Sequence, residues 1–153
     1  LFRSDRNTMV VIDRANGRAV GTCAFLRIDP ANGVAELGTI NWSPLMKRSA
    51  LGSEAIFLML RHLFDDLGYR RCEWKCDSLN LPSRQAAERL GFRYEGTFRQ
   101  AVVVKGRTRD TDWLSIVDEE WPARRAAFAA WLSPDNIGDD GRQARQLQAF
   151  RRE

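Results

Sequence analysis

The sequence predicts an α/β (α+β) fold with a mixed, mostly antiparallel sheet flanked by helices. Three observations carry this. Before residue 43 the chain alternates β-rich runs with turn signals at Asn16-Gly17 and Asp29-Pro30-Ala31-Asn32-Gly33. From Ala50 the apolar spacing changes to the helical period. Strand and helix patterns then alternate, and two long strand runs follow each other near the end, an order expected of a sheet layered with helices.

Thr8 to Ile12 is β-branched and apolar. Arg18 to Ile28 reads as its return strand, with Val20, Thr22, Ala24, Leu26 and Ile28 on one face by period two. Val34 to Trp42 makes a third strand, which Pro44 ends. Between Ala50 and Leu67 an apolar stripe of Leu51, Ala55, Leu58, Met59, Leu63 and Leu67 predicts an amphipathic helix, with Gly68 as its stop. Arg71 to Asp77 is a short strand on which Cys72, Trp74 and Cys76 share one face and pack as core. Asn80 caps a second helix with Pro82 in its first turn, and Gly91 closes it. Phe92 to Val104 and Thr108 to Trp121 read as strands joined by a tight turn at Lys105-Gly106-Arg107. Ala123 to Leu132 is a terminal helix, and Trp113, Trp121 and Trp131 are expected to pack the last strand and that helix. Ser133-Pro134 and Gly138-Asp139-Asp140-Gly141 mark a break. Residues 1–133 therefore read as one domain, and residues 134–153 as a polar tail, mobile or weakly helical.

Composition bounds the function. A chain of 153 residues with 44% hydrophobic and 29% charged residues is long and apolar enough for one globular core, which excludes a largely disordered protein. No apolar run approaches the roughly 20 residues of a membrane helix, and no basic-then-apolar leader is read. Three cysteines are too few for a disulfide scaffold, so a cytoplasmic location is expected. A single histidine, His62, excludes a His-rich metal site and reads as a surface residue; no metal is expected. The chain opens at Leu1 and reaches a strand-like run at Thr8, so an upstream element is expected to be missing. The net charge is +4. Its basic residues concentrate between Arg84 and Arg109, where seven (Arg84, Arg89, Arg93, Arg99, Lys105, Arg107, Arg109) face two acids, Glu88 and Glu95. That run attracts an anionic ligand or simply solvates a face. Stacking aromatics are not interleaved with it, so nucleic acid is an unlikely partner.

The segment Trp42-Ser43-Pro44-Leu45-Met46-Lys47-Arg48-Ser49-Ala50-Leu51-Gly52-Ser53-Glu54 carries the functional signal. A strand runs into a basic, small-residue loop that opens a helix. Such a loop turns several backbone N–H groups toward one point, and the helix N-terminus adds about half a positive charge, which suits a diphosphate. A plain capped loop is the competing reading. Small residues at 49, 50, 52 and 53 let a ligand approach the backbone, and Lys47 and Arg48 add charge.

With Asn80-x-x-Ser83, Leu90-Gly91-Phe92 and Gly96, Glu36-Leu37-Gly38 with Ser43-Pro44, and Gly106-x-x-x-Asp110 in this order, the chain resembles the GNAT superfamily of N-acetyltransferases over roughly Thr8 to Leu132. Within it the chain is similar to the RimJ/RimL-like branch, the ribosomal-protein N-terminal acetyltransferases. The resemblance implies acetyl-CoA as donor and transfer of its acetyl group to a primary amine, on a protein N-terminus or a small molecule, in a ternary complex. The family's Gln/Arg-x-x-Gly-x-Gly/Ala loop falls on Lys47, Arg48, Ser49, Ala50, Leu51 and Gly52, with Lys for Gln/Arg and Ala for the first Gly. Ser53 stands where the family often has Thr, near the pyrophosphate.

The resemblance further implies that the sheet splays between the strand ending at Trp42 and the strand from Arg71 to Asp77, and that Ile40, Asn41 and Trp42 offer backbone groups to the pantetheine arm. A backbone N–H beside Asn41 or Trp42 is the oxyanion donor. Trp42's side chain also reads as core. Asn80 contacts the arm or caps its helix. Glu36 is the first candidate for general base and equally reads as a structural carboxylate; Asp110 and Asp112 are alternatives, with Glu73 and Asp77 weaker. The superfamily's acid Tyr falls on Ala87, and Ser83 is the remaining partner for the leaving thiolate. Arg84 is the candidate for the CoA 3′-phosphate, and Arg107 and Arg109 meet the acceptor or flank the turn. The family's acceptor pocket uses a strand and helices ahead of the three strands, so the acceptor side is expected to come from elsewhere. A homodimer is a further possibility. A non-catalytic CoA-binding regulatory or interaction module is the alternative function.

Overall fold

The computed structural model describes residues 6–46, 49–138 and 142–151. Among them six strands form one sheet, in the order β1-β2-β3-β4-β6-β5. The strands are β1 (Arg6–Asp13), β2 (Arg18–Asp29), β3 (Val34–Trp42), β4 (Arg71–Asp77), β5 (Arg93–Val104) and β6 (Arg107–Val117). The helices are α1 (Leu51–Arg61), α2 (Leu81–Leu90) and α3 (Trp121–Leu132). Turn chemistry sets the antiparallel pairs. Between β5 and β6, Lys105 (φ 51°) and Gly106 (φ 75°) both take positive φ, the backbone of a two-residue hairpin whose twist matches its strands.

The pair β3–β4 is parallel because α1 forms the crossover between the strands. Its ladder contains only Val34↔Arg71, Ala35↔Cys72 and Glu36↔Glu73. Beyond Glu36 the strands part, as expected of a splayed sheet. A bulge in β3 accompanies the parting: on β2, Ala24 faces Gly38 and Thr22 faces Asn41, so β3 carries an extra residue there. Thr39, a β-branched residue, is held at φ 46° in this bulge, a strained conformation of the kind found where function requires it.

One face of the sheet and the three helices enclose the core, which joins Cys72, Trp74 and Cys76 of β4 to Ile56 and Leu60 of α1, Leu90 of α2 and Phe128 of α3. Each such large side chain contributes about 1.5–3 kcal/mol by burial. The first helix differs from the expected stripe. Leu58 and Leu67 are exposed, while Ile56, Leu60 and Phe64 join Ala55, Met59 and Leu63 inside. Beyond Arg61 the helix widens into a π turn at His62–Asp66, which shifts the period and brings Asp65 Oδ1 within 2.7 Å of the Trp121 indole N–H. Trp121, expected at the end of the last strand, is the first residue of α3, with Pro122 in the first turn; β6 ends at Val117. Trp113 lies on the sheet face away from the helices, stacked on Phe98 with ring centroids 4.7 Å apart.

The expected tail is corrected over residues 142–151, which fold back onto α2 and α3. Leu147 is 2% exposed within the core. Trp131 Nε1 donates to the Arg145 carbonyl at 3.0 Å, and the Arg151 guanidinium donates to the carbonyls of Glu88 and Arg89 at the end of α2. One buried leucine and these bonds outweigh the polar composition from which a tail was read.

Candidate active site

The parted strands open a cavity of about 370 Å³. Trp42 at the end of β3, Gly52 and Ser53 in the first turn of α1, Trp74 of β4, Arg89 of α2 and Trp131 of α3 line it. Two glycines make room for the Trp42 indole. A Cβ at Gly21 would stand 2.6 Å from Trp42 Cε3, and one at Gly52 would stand 3.3 Å from Trp42 Nε1. The cavity therefore has an aromatic wall, an open strand edge and a helix start. Ala50 (φ −71°, ψ −20°) is the N-cap of α1 and makes no side-chain cap hydrogen bond, so the first-turn N–H groups are left to an outside acceptor.

The predicted residues divide across this geometry. Trp42, Ser49, Gly52 and Ser53 line the cavity. Ala50 is the helix N-cap, and Ser49 Oγ donates to the Met46 carbonyl at 2.9 Å. Ile40 is half-buried against the core, and Asn41 is exposed, its Nδ2 donating to the Thr39 carbonyl at 3.2 Å. Leu51 faces a different cavity, between β1 and α1. Lys47 and Arg48 lie outside the described residues. Asn80 caps α2, its Oδ1 accepting the Ser83 N–H at 3.2 Å. Ser83 Oγ accepts the Trp74 indole N–H at 3.1 Å, so it sits behind a cavity-lining ring. Arg84 does not line the cavity. Its guanidinium pairs with Glu88 at 3.0 Å and Asp112 at 3.5 Å and lies 4.0 Å over the Tyr94 ring.

Arg89 lines the cavity, whereas Arg84, the sequence candidate for the CoA 3′-phosphate, does not. Arg89 Nη1 donates to Ser53 Oγ at 3.1 Å, across from the start of α1. Burial lowers its pKa below the ordinary arginine value. The sequence held a signal in the basic run from Arg84 to Arg109. Position decided between its members: with Asn80 as cap, Ala86, Arg89 and Leu90 share the face of α2 that turns to the cavity.

Glu36, 6% exposed, stands on the helix-free face of the sheet, where β3 and β4 part. It pairs with Arg27 and, at 3.1 Å, with the Lys75 ammonium. The same ammonium meets Glu73 at 2.7 Å and lies 3.7 Å over the Trp113 ring. Arg71 continues the chain to Glu73 at 2.9 Å and to Glu95 at 2.6 Å. Burial alone would raise the Glu73 pKa, but hydrogen bonds from Lys75 and Arg71 bring it below the usual carboxylate value. Among the other carboxylates considered, Asp112 is 1% exposed and accepts from Thr97 Oγ1 at 2.5 Å, and Asp110 accepts the Gln100 N–H at 2.7 Å to fix a bulge in β5. Arg109 lies 4.0 Å from Asp77. Burial raises the pKa of the Cys23, Cys72 and Cys76 thiols, which fits core packing and not nucleophilic chemistry.

The second cavity, about 410 Å³ between β1 and α1, is lined mainly by apolar residues such as Val11, Ala55 and Met59. The wedge cavity brings together a cation, a hydroxyl and a helix start, the groups an anion needs.

A parallel strand pair that parts after three residue pairs, beside a cavity of about 370 Å³ at the start of the following helix, defines an α/β fold with a ligand-sized wedge in its sheet. The family model described as Acetyltransferase (GNAT) domain matches residues 2–93, and the chain belongs to this family. It is 54% identical to a GCN5-related N-acetyltransferase from Brucella melitensis of known crystal structure, with a TM-score of 0.92 over 95% of this chain and 66% of that one. A probable GNAT-family acetyltransferase structure from Chromobacterium violaceum is 47% identical, with a TM-score of 0.75 over 79% of this chain and 61% of that one. An uncharacterized N-acetyltransferase, p20, from Bacillus licheniformis is 31% identical over 119 residues, which are 75% of this chain and 64% of p20. The chain thus spans about two thirds of the length of these relatives. No helix among the described residues is long and apolar enough to cross a membrane.

Proposed function

We propose that the chain binds acetyl-CoA in the wedge and transfers its acetyl group to a primary amine by direct attack in a ternary complex. The reading includes the RimJ/RimL-like branch and, as acceptor, a protein N-terminus or a small-molecule amine. The observation that carries it is the three-pair β3–β4 ladder, which leaves the β3 edge from Leu37 to Trp42 without a strand beside it, next to a cavity that ends at the start of α1.

In this reading the free edge of Ile40 to Trp42 holds the pantetheine arm, and an N–H beside Asn41 or Trp42 polarises the thioester carbonyl. The amine nitrogen forms a bond to that carbon, the carbon–sulfur bond breaks, and CoA leaves as a thiolate. Glu36, at the point where the strands part, takes the amine's proton directly or through a water. The Ser83 hydroxyl, behind the Trp74 ring and also hydrogen-bonded to Cys76, is the donor this reading assigns to the leaving sulfur. Asn80 supports this by fixing the first turn of α2. The Glu36–Lys75–Glu73 cluster, on the face opposite the helices, is the side from which the amine approaches.

The test pairs acetyl-CoA binding, by thermal shift and calorimetry, with thiol release from acetyl-CoA across a panel of amines. Stabilisation by CoA together with amine-dependent thiol release supports the reading. Stabilisation without thiol release for any amine favours a non-catalytic CoA-binding module. Absence of CoA binding refutes both.

A further inference from the structure

Three guanidinium groups converge at the C-terminal end of α2, and none has a carboxylate partner among the described residues. Arg124 Nε donates to the Gly91 carbonyl at 3.2 Å, and Arg151 donates to the carbonyls of Glu88 and Arg89. Those bonds satisfy the helix end but leave the charges uncompensated. Arg89 alone of the three lines the cavity, with only the neutral Ser53 hydroxyl as partner. A half-buried cation without a counter-charge is costly, and no carboxylate among the described residues supplies one. The pKa of Arg151 is lowered by burial and then by the charges of Arg124 and Arg89, the mark of like charges held together.

We infer that Arg89 is the side chain that binds the donor's diphosphate, held ready for it by Ser53 and by the arginines around the end of α2. This rests on the proposed donor site and adds to it the residue that supplies the counter-charge. A guanidinium fork, a hydroxyl and first-turn N–H groups surround the same end of the cavity, a donor set that matches a phosphate with several oxygens better than a single carboxylate. Arg84 is excluded from this role by its own ion pairs with Glu88 and Asp112.

The test is calorimetric titration of wild type, Arg89→Gln and Arg89→Lys with CoA, repeated with 3′-dephospho-CoA so that the 3′-phosphate is not what is read, and with acetyl-pantetheine, which has the same arm but lacks the whole 3′-phospho-ADP end. Arg89→Gln is expected to weaken binding of CoA and of 3′-dephospho-CoA by about ten- to a hundredfold, the range for a lost charge-assisted bond, and to leave acetyl-pantetheine binding unchanged. Arg89→Lys is expected to fall between the two, keeping the charge but not the fork. Unliganded Arg89→Gln is expected to melt no lower than wild type, because an uncompensated charge has been removed. Equal affinity of wild type and Arg89→Gln for CoA or for 3′-dephospho-CoA overturns the inference. So does equal weakening for all three ligands with a lowered melting temperature, the signature of a merely structural residue. Wild type that binds acetyl-pantetheine but not CoA overturns it as well, while wild type that binds neither refutes the donor site itself.

Discussion

Lys75→Met is the most informative single change to the sheet. The Lys75 ammonium bridges Glu36 at 3.1 Å and Glu73 at 2.7 Å, with side-chain exposures of 8%, 7% and 12% for the three residues. Methionine retains most of the stem and removes the charge, leaving two buried carboxylates that have lost a partner. Arg27 and Arg71 remain but cannot occupy the same point. Removing one member of a buried pair costs about 3–5 kcal/mol, which for a domain of this size lowers the melting temperature by roughly 6–20 °C. The loss depends on pH in a defined direction. Because the folded pKa of Glu73 is lowered, its contribution is complete above the ordinary carboxylate pKa of about 4.3 and is lost as pH falls through the folded value. In the variant the lowering by Lys75 is gone while the burial that raises the pKa remains. The gap between wild type and variant is therefore widest near neutral pH and closes as pH falls through the lowered Glu73 value. Urea unfolding at a series of pH values measures this. A loss under about 1 kcal/mol at pH 7, typical of exposed pairs, or a gap that does not change with pH, refutes the reasoning.

Glu95→Gln gives a smaller acid effect. Arg71 holds both oxygens, at 2.8 and 2.6 Å, and this hydrogen bonding carries the Glu95 pKa down to about 2. Its contribution is present above about pH 4.3 and fades toward pH 2; exposure limits it to under about 1 kcal/mol, and an identical acid unfolding limb in the variant contradicts it. Leu147→Ala is expected to cost about 2–5 kcal/mol in chemical unfolding, as a core position does; a loss near zero means that residues 142–151 are not part of the domain. Glu36→Gln is expected to lower turnover by about 10²–10⁴-fold with CoA affinity kept, and an unchanged pH–rate profile moves the base elsewhere.

Much of the fold was legible because local signals agreed with it. Asn16-Gly17, Lys105-Gly106 and Gly91 each occur where a positive φ is needed, and the alternation of Cys72, Trp74 and Cys76 matches the buried face of β4. The exceptions have tertiary causes. Leu58 and Leu67 fit the helical period, but the π turn and the position of α3 set which side is inside. Leu147 and Arg151 lie in a polar stretch, and only their distant partners at α2 and α3 show what holds them. Trp42, Gly52 and Ser53 line one cavity because the loop between β3 and α1 is short, whereas which arginine of α2 joins them depends on the face of α2 that turns toward the wedge. The helix-free face of the sheet was legible only as separate charges: Glu36, Glu73 and Lys75 become one cluster through the parallel register of β3 with β4.

Hydrogen–deuterium exchange with and without saturating CoA tests the wedge most directly. The account predicts new protection of the amides at residues 40–42, on the free edge of β3, and at residues 50–53, at the start of α1. Protection confined to residues 9–14 beside the apolar cavity, or no change at either segment when calorimetry shows CoA bound, contradicts it.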